Sequence, residues 1–393
     1  MNGMKQFVEN NQEKYIDLIK TITRIPAPSH KEEKRVTFLL DYLHELGYVD
    51  AFADEEKNVI IELCKRNAND IHLYTAHIDT VFPDEDVILV SETIDKLCGP
   101  GIGDDTANVA ALLMFLTYIR QEGLTTDQNL VIALNSCEEG LGNLDGAKAL
   151  WKRYGNRIAQ HISFDGGYHW LVNRAVGSYR YEISIQTKGG HSYGDFGNAN
   201  AIVCASNLIS GLYELTTADL PGKTTYNVGL FQGGTSVNTI AQEASFLYEF
   251  RSDQEVSLFE MKKRTEDKFS EILGVDRKEV MLEDATVIHA VDACVRINLL
   301  GQRPGMGEVS KEKLLKLTNK AKQIILEETG VLPQEESGST DCNVFLANQV
   351  PSVCFGVYEG EGEHTREEFI WKKSLEPGLR MAFRFLMEEY HDK

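Results

Sequence analysis

The chain has 393 residues, 42% hydrophobic and 25% charged, with 60 acidic against 40 basic side chains and a formal net charge of −20. That length exceeds what one hydrophobic core usually supports, so two domains are expected, and the acidic balance excludes nucleic acid and anionic membrane surfaces as partners. The N-terminal stretch MNGMKQFVENNQEKYIDLIK has no basic region followed by an apolar one, so no signal peptide is expected. No apolar run approaches the roughly 18 residues that cross a bilayer. Seven cysteines (64, 98, 137, 204, 294, 342 and 354) are scattered without any C-x-x-C pair, which fits reduced thiols and a cytoplasmic location.

Residues 5–24 carry a helical apolar pattern that stops at IPAP. A second helix is expected from Ser29, which has capping-box spacing to Glu32, to near Gly47. Short β-rich runs follow, NVIIEL from Asn58 and IHLYTAH from Ile71, then a helix over TANVAALLMFLTYIR from Thr106. The strand NLVIALN, a helix near LDGAKALWKRY and the strand RIAQHISF come next. Strands alternating with helices imply a doubly wound α/β domain with a mostly parallel sheet. Ligands of such sheets collect beyond the carboxyl ends of the strands.

After about residue 175 the texture changes. GSYRYEISIQT alternates like a half-exposed strand, NANAIVCASNLISGLYEL reads as a helix, and TTYNVGLF and ASFLYEFR read as strands. A helix over EVSLFEMKKRTEDKFSEIL and a strand at KEVMLEDATVI complete the order β-α-β-β-α-β, the ferredoxin-like signature. From about residue 300 the α/β pattern resumes with the helix SKEKLLKLTNKAKQIILEETG, the strand PSVCFGV and a closing helix from about 366. The expected division is therefore an outer domain of 1–175 and 298–393 with an inserted domain of 176–297.

The chemistry-bearing residues sit at strand ends. In YTAHIDT, His77 and Asp79 are two apart and share one side of a strand terminus. This suits a metal-binding imidazole whose other ring nitrogen is held by a carboxylate. GPGIGDDTAN brings Asp104 and Asp105 on a glycine-rich loop to a helix start, where acids are favoured in any case. The G-x-G-x-x-G spacing of a dinucleotide loop is absent. SCEEG places Glu138 and Glu139 side by side after a core strand, and HISFDGG ends another strand in Asp165, with His161 and His169 as structural or surface histidines. YEGEGEHTREEF carries His364 between a strand and the last helix. Each has an ordinary reading by itself, as a capped strand end, a helix-start acid or a loop histidine. Together, two imidazoles and three or four carboxylates at the strand ends of one α/β unit make a ligand set for a pair of zinc-like ions sharing a bridging carboxylate.

The order H-x-D, G-x-G-x-x-D-D, E-E, D-G-G and a late E-H resembles the co-catalytic zinc hydrolases. This family includes peptidase T, glutamate carboxypeptidase, acetylornithine deacetylase, succinyl-diaminopimelate desuccinylase and aminoacylase. The resemblance spans nearly the whole chain, and GIGDD and SGSTDCNVF look most like peptidase T. It implies one zinc on His77, Asp104 and Asp165 and a second on Asp104, Glu139 and His364, with cobalt or manganese as substitutes. Asp79 would orient His77, and Glu138 would be the general base for the attacking water. The inserted domain would be a lid and a homodimerisation surface. Within it, His191 would stabilise the oxyanion, Asn238 would contact the substrate and Arg251 would grip a substrate carboxylate. Gly338, in SGSTD, would be a further substrate-binding position. A cis peptide is implied between Asp104 and Asp105. Thr106 stands where many relatives have lysine, a departure that bears on substrate preference rather than on metal.

The function expected is hydrolysis of peptide bonds in small peptides, with N-acyl-amino-acid deacylation as the alternative on the same centre. Two rivals come from other classes. One is a non-catalytic binding protein on this fold, against which the intact ligand set and Glu138 argue. The other is a cysteine hydrolase using Cys137, for which the sequence offers no oriented histidine.

Overall fold

In the strands Ile71–His77 and Asn129–Asn135 nearly every residue is buried, as a strand covered on both faces requires. The computed structural model describes residues 2–63 and 68–388, and Cys64 lies outside them. The two strands are central in an eight-stranded sheet, ordered Phe52–Ala53, Val59–Leu63, Asn129–Asn135, Ile71–His77, Ile158–Ser163, Ser352–Cys354, Trp170–Ala175 and Gln334–Gly338. From Asn129–Asn135 to Ser352–Cys354 the neighbours run parallel. Val59–Leu63 on one side and Trp170–Ala175 on the other join antiparallel.

Alternation along the strands divides two cores. Ile61, Tyr74, Ile132 and Leu134 face one that includes Leu112, Phe115 and Phe383, while Ile60, Leu73, Val131 and Ala133 face another with Ala147, Leu150 and Phe345. Burying each such aliphatic or aromatic side chain contributes about 1.5–3 kcal/mol. The helix Asn108–Gln121 is buried on every side from Asn108 to Ile119. A helix apolar all round belongs in a core, and this one packs against Ile71–His77, Gln12–Thr23 and Lys372–Met387.

Two helix starts differ from the sequence reading. The first apolar stretch is two helices, Asn2–Asn10 and Gln12–Thr23. The helix expected from Ser29 begins at Glu33, so Ser29 does not cap it, and its hydroxyl is free for a partner described below.

The chain divides into a unit of 1–175 with 307–393 and a unit of 176–306. The second is an antiparallel sheet ordered Thr224–Gly233, Glu243–Ser252, Gly177–Thr187, Ala293–Arg303 and Thr286–His289. The helices Ala201–Leu212 and Glu255–Leu273 pack on this sheet through one apolar core. Asn200 caps the first by accepting the Ile202 N–H at 2.9 Å. KEVMLEDATVI forms only the short strand Thr286–His289. On its other side Gly177–Thr187 pairs along its length with Ala293–Arg303, whose register shifts at a bulge between Leu299 and Gly301. That strand moves the second crossing between the units to 306.

Candidate metal centre

Because Ile71–His77, Asn129–Asn135 and Ile158–Ser163 are parallel neighbours, their carboxyl ends share one edge of the sheet. His77 is the last residue of the first strand, Glu138 and Glu139 follow the second, and Asp165 follows the third. The loop after Lys96–Cys98 adds Asp104, and the loop between Gly360–Glu361 and Phe369–Trp371 adds His364.

Asp104 stands between the two imidazoles. Its Oδ1 is 2.9 Å from His77 Nε2 and its Oδ2 is 3.0 Å from His364 Nε2. His364 Nε2 is also 3.2 Å from Glu139 Oε1, and His77 Nε2 is 3.8 Å from Asp165 Oδ1. Donor atoms of His77, Asp104 and Glu139 lie within 4.8 Å of one another, as do those of His77, Asp105 and Asp165. This convergence of the buried His77, the exposed His364 and buried carboxylates fits a pair of divalent cations.

A shell of hydrogen bonds holds these donors. Asp79 Oδ1 lies 3.5 Å from His77 Nδ1 and accepts the Glu138 N–H at 2.9 Å, while its Oδ2 accepts the Glu139 N–H at 3.0 Å. Ser29 Oγ donates to Asp79 Oδ2 at 2.7 Å. Asp105 accepts the His77 backbone N–H on Oδ2 at 2.8 Å and the Asn108 amide on Oδ1 at 2.5 Å, so both its oxygens are engaged. The peptide between Asp104 and Asp105 is cis.

The electrostatics follow from crowding acids in a dry place. Burial pushes Asp165 well above the usual carboxylate range, and Glu139 up to about 7 despite a hydrogen bond to His364. Hydrogen bonds to Asp104 and Glu139 raise His364 to about 11. Glu138 is 5% exposed. Burial and then the Glu138 charge raise Asp341 to about 7. A divalent cation is what relieves such a cluster of buried anions.

Other residues singled out in the sequence fall elsewhere. His191, Asn238 and Arg251 lie in the 176–306 unit. His191 Nδ1 accepts the N–H groups of Tyr193 and Gly194, both at 3.2 Å, and the Asn238 carbonyl accepts the Ser192 N–H at 3.0 Å. Arg251 forks onto Glu249 at 3.1 and 3.0 Å. Gly338 ends the strand Gln334–Gly338, where a Cβ would stand 2.9 Å from Val172. Thr106 is buried beside Asp105. His161 is fully buried at 2.9 Å from Thr75 Oγ1, and His169 pairs with Glu359 at 3.2 Å.

Cys137 does have an imidazole neighbour, which the sequence did not reveal. His30 Nδ1 is 3.3 Å from its sulfur. The thiol donates instead to Glu32 Oε1 at 3.2 Å, and burial pushes its pKa far up, so it stays protonated. Asp105, Asn108 and Ser29 were missed as supports of the centre. Asn108 is hidden in a helical run, and Ser29 has the spacing of a helix cap.

Fold and centre together define a hydrolase of the peptidase class with a candidate dinuclear metal site. Residues 73–388 match Peptidase family M20/M25/M40, and the chain belongs to that family. It is 25% identical over 379 residues to the uncharacterized protein YqjE of Bacillus subtilis (strain 168), covering 91% of this chain and 93% of that one. Among solved structures it is similar to aminopeptidase PepT from Bacillus cereus ATCC 10987, with TM-score 0.71 and 21% identity over 96% of this chain and 99% of that one. A tripeptidase from Staphylococcus aureus subsp. aureus Mu50 gives TM-score 0.73 at 20% identity, covering 96% and 98%. The di-peptidase Dug1p from Saccharomyces cerevisiae gives 0.71 at 14%, covering 99% and 98%.

Proposed function

We propose that the protein is a dinuclear zinc hydrolase that cleaves the peptide bond of di- or tripeptides. The observation that carries this reading is Asp104, whose two oxygens face His77 and His364 at 2.9 and 3.0 Å, with Glu138 buried and its charge acting on Glu139 and Asp165. One cation is assigned to His77, Asp104 and Asp165, the other to Asp104, Glu139 and His364. When bound, the two cations supply Lewis acidity for the scissile carbonyl and for the attacking water.

The remaining steps belong to this chain's own residues. Asp79 fixes the tautomer and direction of His77, its backbone carbonyl 3.1 Å and its carboxylate 3.5 Å from Nδ1. Glu138 takes a proton from the attacking water and delivers it to the leaving amine. His191 is assigned to the oxyanion. Its Nδ1 accepts two backbone N–H groups, so the neutral ring carries its proton on Nε2 and offers it outward as a donor. Asn238 and Gly338 are assigned to substrate, and Arg251 to a substrate carboxylate that displaces Glu249 from its fork.

The 176–306 unit is proposed as the surface of a homodimer. Its outer strand Thr224–Gly233 exposes Leu230 and Phe231, and the helix Ala201–Leu212 with the residue after it exposes Val203 and Tyr213. A cytoplasmic location is supported by the free thiols of Cys98, Cys137, Cys204, Cys294, Cys342 and Cys354.

The test is a panel of dipeptides, tripeptides, N-acetyl and N-succinyl amino acids, assayed with zinc, cobalt or manganese. Turnover of peptides supports the reading, turnover of the acyl amino acids alone replaces it with deacylation, and no metal-dependent turnover of any member rejects it.

A further inference from the structure

Glu368 is a buried carboxyl group that the cation assignment leaves unused. It is 1% exposed and lies just before the strand Phe369–Trp371, in the same loop as His364. Its Oε2 accepts the Gly101 N–H at 2.6 Å, and its Oε1 accepts those of Gly103 at 2.7 Å and Asp104 at 2.9 Å. Its backbone carbonyl accepts the Gly99 N–H at 3.0 Å. The turn from Gly99 to Asp104 therefore hangs on one residue.

The path of that turn is confined from the other side as well. Gly101 has φ +70°, and a Cβ on it would lie 2.7 Å from Thr80 Cγ2. A Cβ on Gly103 would lie 2.6 Å from the ring of Tyr358, whose hydroxyl donates to Glu363 at 2.6 Å. Beyond the two loops, Phe369–Trp371 pairs antiparallel with Lys96–Cys98, so a ladder ties their bases together. One loop thus does two things to Asp104: His364 meets its side-chain Oδ2, and Glu368 holds its backbone N–H.

We propose that Glu368 is a positioning residue that sets the Asp104 carboxylate between His77 and His364, so that the occupancy of both cation sites depends on it. The inference rests on reading Asp104 as the shared ligand. A carboxyl group suits the task because its two oxygens together offer about four lone-pair sites to the three N–H groups. A glutamine has one acceptor oxygen and would turn an NH₂ group against at least one of the three donors.

The experiment measures zinc affinity by competition with a chromophoric chelator for the wild type and Glu368→Gln, together with kcat, KM and the melting temperature of the chelator-stripped proteins. The proposal expects the variant to bind both cations roughly 10–100-fold more weakly, as loss of a ligand's support does elsewhere. At saturating zinc, kcat should fall while KM changes by less than about twofold. A stripped variant that melts lower yet binds zinc with unchanged affinity would make Glu368 merely structural and overturn the proposal. Should Glu368→Gln fail to fold, Glu368→Asp, which keeps the charge but shortens the reach, takes the same measurements, and unchanged zinc affinity overturns it equally. A wild type that binds fewer than two zinc ions sinks the dinuclear reading itself, an outcome distinct from both.

Discussion

Asp79 Oδ1 accepts the backbone N–H of Glu138 at 2.9 Å while facing His77 Nδ1 at 3.5 Å, and its other oxygen takes the N–H of Glu139 at 3.0 Å. One buried carboxylate therefore ties the histidine at the end of one strand to the paired glutamates at the end of the next. It also explains how two adjacent acids serve different ends. Their peptide is pinned from behind, so that Glu139 turns to His364 while Glu138 stays buried as a separate carboxyl group. Against the burial that opposes it, hydrogen bonds from His77, Ser29 and the Glu138 backbone hold Asp79 below the usual carboxylate range, so it stays ionised.

Asp79→Asn tests that tie. The amide keeps the size but puts an NH₂ where an acceptor oxygen stood, against a backbone N–H or Ser29. We expect kcat to fall by about 10²-fold or more and cation affinity by roughly 10–100-fold. Steady-state kinetics with metal titration check both, and an unchanged kcat would remove Asp79 from the account.

The two glutamates separate by substitution. Glu138→Gln should retain both cations and lose about 10²–10⁴-fold in kcat, the usual worth of a general base. Glu139→Ala should lose cation occupancy. Elemental analysis alongside kinetics distinguishes them, and the reverse pattern would mean that their roles are exchanged.

His161 gives a pH dependence independent of the metal centre. Burial pushes its pKa down to about 3, whereas in the unfolded chain it titrates near the ordinary value of about 6.5. Below that unfolded value the unfolded chain binds a proton that the folded one refuses. Stability from this group is therefore complete above about 6.5 and falls as the pH drops towards 3, by about 1.4 kcal/mol per unit. His161→Gln should flatten the decline in melting temperature between pH 6 and 4. Parallel declines in the wild type and variant would contradict the assignment.

The proposed dimer surface predicts that Leu230→Asp combined with Phe231→Asp yields a monomer in sedimentation velocity while the wild type sediments as a dimer. Both residues are exposed on the outer strand of their sheet, so the change should cost little stability in a single chain. A monomeric wild type would end this part of the proposal.

Much of this was legible because strand-end chemistry leaves a short-range mark. His77 and Asp79, Glu138 and Glu139, and Asp165 each follow an apolar run that reads as a buried strand, and parallel strands bring such ends to one edge. What escaped depends on long-range contacts. Ser29 has a capping spacing, yet it donates to Asp79 across 50 residues of chain. Glu368 looks like one more acid in a charged loop until its three amide donors, more than 260 positions away, are seen. His30 reaches Cys137 only through folding. The strand Ala293–Arg303 alternates only over the short run Val295–Leu299 before its bulge, and its place beside Gly177–Thr187 is set by long-range pairing.

The most direct test is elemental analysis of the purified protein before and after exhaustive chelation, paired with a peptide assay on the same samples. Two divalent cations per chain, lost together with activity on chelation and regained together on adding zinc, cobalt or manganese, are the result this account requires. Full activity in chelated protein holding less than one cation per chain would contradict it.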